Sequence, residues 1–258
     1  MLLVIDCGNT NIVFAVYDGD SLVGQWRTAT ESEKTGDDYG VWLGQIMQRD
    51  GLARADIKAA IVSSVVPNKN RALRTMCSEF FGVTTRFIGD VGLDLGLTVL
   101  MQNPREVGDD RLVNAIAAQE TYGGPLIIID FGTATTFDVV DQDGNYAGGV
   151  IAPGINMSME ALHMAAALLP RIPVENPGQA PVVGTSTVGA MRSGVFWGYI
   201  GLIEGLVARI QDERGGGMAV IGTGGLAPLF ATSTQVIDHT DDDLTLRGLR
   251  AVHQRNPL

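Results

Sequence analysis

Leu2-Leu3-Val4-Ile5-Asp6-Cys7-Gly8-Asn9-Thr10 at the start of the chain and Leu126-Ile127-Ile128-Ile129-Asp130-Phe131-Gly132-Thr133 in its middle follow one pattern. In each, four apolar residues run in succession into Asp-x-Gly. A run that is apolar on both alternating faces predicts a central strand covered on both sides. Behind the first, residues 12–17 are apolar again, Asp18-Gly19-Asp20 is a hairpin signal, and residues 22–27 read as a third strand. Behind the second come a strand over residues 136–140, the turn Asp141-Gln142-Asp143-Gly144-Asn145, and a strand over residues 146–151. Asp130 follows Asp6 by 124 positions, and Gly132 follows Gly8 by the same interval. One Asp-x-Gly is an ordinary hairpin pair. Its return at matched places, each time after an all-apolar strand, is a duplication of a domain-sized unit. The turn-forming cluster Gly123-Gly124-Pro125 sets the expected boundary, giving lobes 1–122 and 123–258.

Between these landmarks, apolar spacing predicts helices over residues 37–48, 70–81, 110–121, 158–168, 187–212 and 244–255. Strands are expected at residues 59–62, 84–88 and 218–221. The fold class expected is therefore α/β, two lobes, each a mixed central sheet flanked by helices. The helix over 187–212 carries Gly189, Gly194, Gly198, Gly201 and Gly205. Glycine costs a helix interior about 1 kcal/mol, so these small residues point to close helix packing.

The 258 residues carry a net charge of −11, with 45% hydrophobic and 18% charged residues. That is ample material for packed cores. The acidic balance tells against nucleic acid and anionic membranes as partners. It also means that any phosphate site must be local. Cys7 and Cys77 share no metal-ligand spacing with His163, His239 or His253. A core of this size needs no disulfide, and the N-terminal apolar run is too short for a signal peptide, so a cytoplasmic protein is expected.

The chemistry follows from the repeated unit. Glycine lets a turn approach phosphate without a Cβ clash. Asn9, Thr10, Thr133, Thr135 and Thr136 offer donors to phosphate oxygens, and Asp6 and Asp130 offer hard oxygen ligands for a cation. There is no Gly-x-x-x-x-Gly-Lys-Ser/Thr loop. Asp130-Phe131-Gly132 shares only its letters with the protein-kinase motif, whose other parts are missing. A second constellation, Gly108-Asp109-Asp110-Arg111, opens the helix over 110–121. There a carboxylate can accept a hydroxyl proton and an arginine can hold a carboxylate or carbonyl. An acidic N-cap pair beside a solvated arginine is the plainer reading of that segment alone.

The duplicated strand–Asp-x-Gly–strand unit resembles the acetate kinase, sugar kinase, Hsp70 and actin superfamily, in which two ribonuclease-H-like lobes clamp ATP in an interlobe cleft. The resemblance implies that Gly222-Thr223-Gly224-Gly225 lies near the adenosine. A narrower likeness covers nearly the whole chain. Asp6-Cys7-Gly8-Asn9-Thr10, Ser63-Ser64-Val65-Val66-Pro67, Asn103-Pro104 with Gly108-Asp109-Asp110-Arg111, Asp130-Phe131-Gly132-Thr133-Ala134-Thr135-Thr136, Gly148-Gly149-Val150-Ile151-Ala152-Pro153-Gly154, Leu168-Leu169-Pro170, Gly184-Thr185-Ser186-Thr187 and Thr223-Gly224-Gly225 stand in the order found in type III pantothenate kinases.

That resemblance implies ATP-dependent phosphorylation of pantothenate to 4′-phosphopantothenate, the first step of coenzyme A biosynthesis. It implies ATP contacts from Asp6, Cys7, Gly8, Asn9, Thr10, Asn11, Ile12, Val13 and Thr133. Pantothenate contacts fall to Met101, Gly108, Asp109, Asp110, Arg111 and Thr187, with Asp110 as catalytic base. Asp130 takes a monovalent cation, K+ or NH4+, and Asp6 acts on the Mg2+–phosphate group. The family works as a homodimer, which suits the glycine-rich helix. Two departures stand out. Met101 occupies a position usually held by tyrosine, and Asp109 one often held by alanine. A second carboxylate beside Asp110 raises its pKa if both face the same way; at a helix start the two are expected to point apart. A non-catalytic regulator of transcription and a same-fold kinase for another small hydroxy compound are the competing readings.

Overall fold

Four apolar residues in a row cannot all face one core, because successive strand side chains point to opposite sides. In the computed structural model, which describes residues 1–166 and 168–257, both apolar runs are accordingly covered on both faces. The elements in chain order are β1 (Leu2–Cys7), β2 (Asn11–Asp18), β3 (Ser21–Ala29), α1 (Gly36–Arg49), β4 (Ala59–Ser64), α2 (Asn70–Phe81), β5 (Thr85–Phe87) and α3 (Asp109–Tyr122). Then follow β6 (Leu126–Phe131), β7 (Ala134–Val140), β8 (Tyr146–Pro153), α4 (Ile155–Ala165), α5 (Thr187–Arg214), β9 (Ala219–Thr223), α6 (Ala227–Ala231), β10 (His239–Thr240) and α7 (Leu244–Arg255). By packing, the chain divides into two units. One comprises Met1–Ala117 with the stretch from Asp243 onward, the other Ala118–Asp242.

In the first unit the sheet order is β3-β2-β1-β4-β5. Leu3 and Ile5 face Tyr39, Leu43 and Met47 of α1 and Leu73 and Met76 of α2. Leu2 and Val4 face Val113 and Ile116 of α3 and Leu249 and Val252 of α7. Leu3, Val4 and Ile5 are wholly buried, each stabilising the fold by about 1.5–3 kcal/mol. Helix α1 begins on a reciprocal cap: Thr35 Oγ1 accepts from Asp38 N at 3.3 Å, and Asp38 Oδ2 accepts from Thr35 N at 2.8 Å.

The second unit repeats the order as β8-β7-β6-β9-β10. Ile127, Ile129, Phe137 and Val139 meet Phe196, Ile200 and Ile203 of α5 and Phe230 of α6. Even the irregularities recur, with a register shift at Val16/Tyr17 in β2 and at Val139/Val140 in β7. The expected α/β class with a mixed sheet in each half is thus observed, and each sheet has five strands.

Three differences from the sequence expectations have physical causes. Helix α7, counted above with the second half, packs in the first unit, where a methyl on Gly248 would strike the Val113 carbonyl of α3. Asp6 and Asp130 lie inside strands β1 and β6, not in the turns, because the ladders extend past the apolar run. The helix expected over 158–168 spans Ile155–Ala165 and gives way to extended backbone at Ala166; Ala167, within that expectation, lies outside the described residues. Short α6 and β10 lacked a periodic signal long enough to read.

Candidate active site

The first turn is Gly8-Asn9-Thr10, closed by Gly8 N donating to Asn11 O at 3.0 Å. Asn9 and Thr10 are exposed, whereas Cys7 and Ile12 point into the core. Those two can meet a ligand only through backbone, and burial pushes the Cys7 thiol up to about 11, leaving it unreactive. Asn11 and Val13 are half-buried. Asp6 is half-buried on β1, paired with Val13 on one side and Ser63 on the other.

The second turn is one residue tighter, with Gly132 N donating to Ala134 O at 3.0 Å. Thr133 is exposed at its tip. The Thr135 and Thr136 hydroxyls, expected to face phosphate, are engaged within the protein. Thr135 is buried against the Tyr199 hydroxyl, and Thr136 Oγ1 donates to Asp138 at 3.1 Å. Alternation along β7 puts Thr135 on the same buried face as Phe137 and Val139, a signal present in the sequence. Asp130 pairs with Thr136 and with Thr223, the last residue of β9. The residue after it, Gly224, has φ +86°, and a Cβ there would stand 2.6 Å from Asp130 Oδ1. The third glycine motif therefore backs the Asp130 carboxylate.

Gly108, Asp109 and Asp110 open α3 beside the end of β4. Ser64 N donates to Asp109 Oδ2 at 3.3 Å, and Val65 N donates to Cys7 O at 3.1 Å. The tail of β4 thus ties the α3 N-terminus to the end of β1, where the first glycine turn begins. Segments a hundred residues apart in sequence meet at the C-terminal ends of two neighbouring strands of one sheet. Asp110 Oδ1 accepts from Arg111 N at 2.8 Å, and a Cβ on Gly108 would stand 2.6 Å from that oxygen. Only glycine leaves the carboxylate where it is.

Burial raises the Asp110 pKa from its ordinary value, against the Arg111 amide and guanidinium, which lower it. Asp109 is raised to about 6, chiefly by burial, with the Ser64 amide opposing and the Asp110 charge adding a lesser push. The pair's mutual repulsion is therefore secondary to desolvation, in line with carboxylates that point to different partners. Met101 and Arg111 are half-buried in the same unit. Thr187, in the other, is exposed at the first turn of α5, which Ser186 caps by accepting from Gly189 N at 3.1 Å.

A stability consequence follows for Asp109. Its folded pKa of about 6 exceeds the unfolded ~3.9, so folding favours the protonated form. Burying the charge destabilises progressively as pH rises through that window. Asp109→Asn keeps an acceptor for Ser64 N and carries no charge. Its melting temperature should match the parent near pH 4 and exceed it by roughly 2–4 °C near pH 8. A gap that is constant with pH would contradict the assignment.

Solved structures share this duplicated α/β fold. An inorganic polyphosphate/ATP-glucomannokinase from Arthrobacter sp. strain KM superposes with TM-score 0.51 at 13% identity, covering 99% of both chains. A Campylobacter jejuni protein described as a Baf family transcriptional activator superposes with TM-score 0.61 at 18% identity, covering 99% of this chain and 98% of its own. At such identities the likeness is one of fold alone. Sequence is more specific. The type III pantothenate kinase family model matches residues 2–209. Type III pantothenate kinases of Paramagnetospirillum magneticum and Rhodospirillum rubrum are 62% and 58% identical over 256 residues, each covering 99% of this chain and 98% and 99% of their own. That of Caulobacter vibrioides is 56% identical over 258 residues, covering 100% of this chain and 98% of its own. The chain belongs to the type III pantothenate kinase family.

Proposed function

We propose that the protein phosphorylates pantothenate with ATP, forming 4′-phosphopantothenate and ADP, the step that opens coenzyme A biosynthesis. The observation that carries this reading is the β4 tail joining the first glycine turn to the Asp110 helix start. The backbone amides of that turn, with exposed Asn9 and Thr10, suit the ATP phosphates, and Asp6 stands at the same strand end. Asp110 takes the proton of the substrate's primary hydroxyl as its oxygen bonds to the γ-phosphorus. The bond from that phosphorus to the β–γ bridging oxygen breaks, and ADP departs with the electron pair. Arg111 holds a polar group of pantothenate, with Gly108, Asp109 and Met101 as neighbouring contacts. Thr133 is a further ATP contact.

Among the described residues no three His, Cys, Asp or Glu side chains converge. Asp6 with the nucleotide phosphates would hold Mg2+, which usually takes one or two carboxylates and fills its remaining positions with phosphate and water. Asp130 would hold K+ or NH4+. Both ions supply positive charge against the phosphates. Because Gly224 leaves no room for a side chain against Asp130 Oδ1, Gly224→Ala should displace that carboxylate. The potassium concentration for half-maximal activity should rise roughly tenfold or more, with the Km for pantothenate changed far less. Unaltered potassium dependence would remove Asp130 from the role.

Two further parts of the proposal concern setting. The protein works as a homodimer through α5, with Thr187 reaching pantothenate bound to the partner. It acts in the cytoplasm without nucleic acid or membrane. No helix among the described residues is long and apolar enough to cross a membrane, Cys7 and Cys77 are free thiols, and the net charge is −11. The deciding experiment is a coupled assay of purified protein with pantothenate, ATP, Mg2+ and K+. Pantothenate-dependent ADP release supports the kinase reading, and none would favour a regulatory protein of the same fold.

A further inference from the structure

The loop between β3 and α1 reaches the first glycine turn through Thr30. Thr30 Oγ1 donates to Gly8 O at 2.7 Å, and Thr30 N donates to Thr10 O at 2.9 Å. The same loop is gripped from its other side by Lys69, which follows β4. Lys69 is 3% exposed, and its Nζ donates to Ser32 O at 2.8 Å and Lys34 O at 2.9 Å. That ammonium also lies 5.8 Å from the Tyr39 ring centroid, within cation–π range. A buried lysine is uncommon and is kept only where its charge is satisfied. Here it donates to main-chain carbonyls of one short loop and lies over an aromatic face, with the Asp38 carboxylate also within reach of its charge.

The geometry matters because of the peptide plane. In a trans peptide the C=O and the following N–H point in opposite directions. Fixing Gly8 O towards Thr30 fixes the N–H of Asn9, an exposed residue, in the opposite direction. An amide held in that direction before the ligand arrives loses no orientational freedom when phosphate binds.

We infer that Thr30 and Lys69 are positioning residues that hold the Gly8–Thr10 turn in its phosphate-binding shape. The inference rests on the reading of that turn as an ATP site. The test measures ATP affinity by calorimetry and the Km values for ATP and pantothenate, in Thr30→Val, Thr30→Ser, Lys69→Met and, as a direct change to the turn, Gly8→Ala, where a Cβ would lie 3.3 Å from Asn11 O. Thr30→Val removes one hydroxyl donor from an otherwise similar shape. It should weaken ATP binding and raise the ATP Km roughly five- to tenfold, leave the pantothenate Km alone, and be rescued by Thr30→Ser. Lys69→Met should act in the same direction on ATP only. If Gly8→Ala weakens ATP binding while Thr30→Val does not, or if Thr30→Ser is as defective as Thr30→Val, the positioning role is wrong. If neither Gly8→Ala nor Thr30→Val touches ATP binding, the turn is not the ATP site and the inference falls with it.

Discussion

Asp110→Asn is expected to leave the protein folded and its ATP affinity intact, and to lower kcat by about two to four orders of magnitude. Asparagine has nearly the same shape. Its Oδ1 still accepts from Arg111 N, as the aspartate does at 2.8 Å, so the α3 start should hold. What it lacks is a lone pair basic enough to take the substrate proton. Burial already raises this carboxylate's pKa against the opposing pull of the helix-start amide and Arg111. A base whose pKa is raised accepts the substrate proton more readily. The acid limb of the rate profile should therefore lie above that of a free aspartate, with activity falling as pH drops through it. Circular dichroism, calorimetric ATP binding and steady-state kinetics read the three quantities separately. Turnover near that of the parent would remove Asp110 from the role of base.

How much of this was legible in the sequence depends on the length scale of each signal. The duplication was readable because each copy announces itself locally, by an all-apolar strand ending in Asp-x-Gly, and the structure returns it as two sheets of the same strand order. The helix start at Gly108–Arg111 was readable from acidic residues ahead of an apolar run. What escaped was non-local. Helix α7 is amphipathic wherever it packs, and only its fit against α3 and β1 assigns it to the first unit. The close approach of Gly224 to Asp130 follows from the parallel pairing of β9 with β6, a pairing no local pattern encodes. Nor could spacing reveal that the β4 tail would bring the Asp109 carboxylate and the Cys7 carbonyl to adjacent amides. Thr135 was the avoidable miss, since strict alternation from Phe137 already turned it inward.

The second large effect concerns α5, in the double variant Gly198→Leu/Gly201→Leu. This 28-residue helix buries Phe196, Tyr199, Ile200, Ile203, Val207 and Ile210. Gly194, Gly198, Gly201 and Gly205 recur at intervals of four, three and four, which places them in one stripe along the helix. At the first three, an added Cβ would meet nothing within 4 Å. Within a single chain these glycines gain nothing from close packing, yet each weakens the helix by about 1 kcal/mol relative to alanine. Leucine at Gly198 and Gly201 should therefore raise the stability of an isolated chain. If the stripe is the seam at which a second copy packs closely, the same leucines hold the two helices apart. The two consequences have opposite signs, which makes the experiment decisive. The variant should run as a monomer in light scattering, keep or raise its melting temperature at low protein concentration, and lose roughly a hundredfold in kcat/Km for pantothenate as the partner's contact is withdrawn. A variant that stays dimeric with both leucines in place would put the seam elsewhere, and a parent protein that is itself monomeric would leave Thr187 with no partner site to complete.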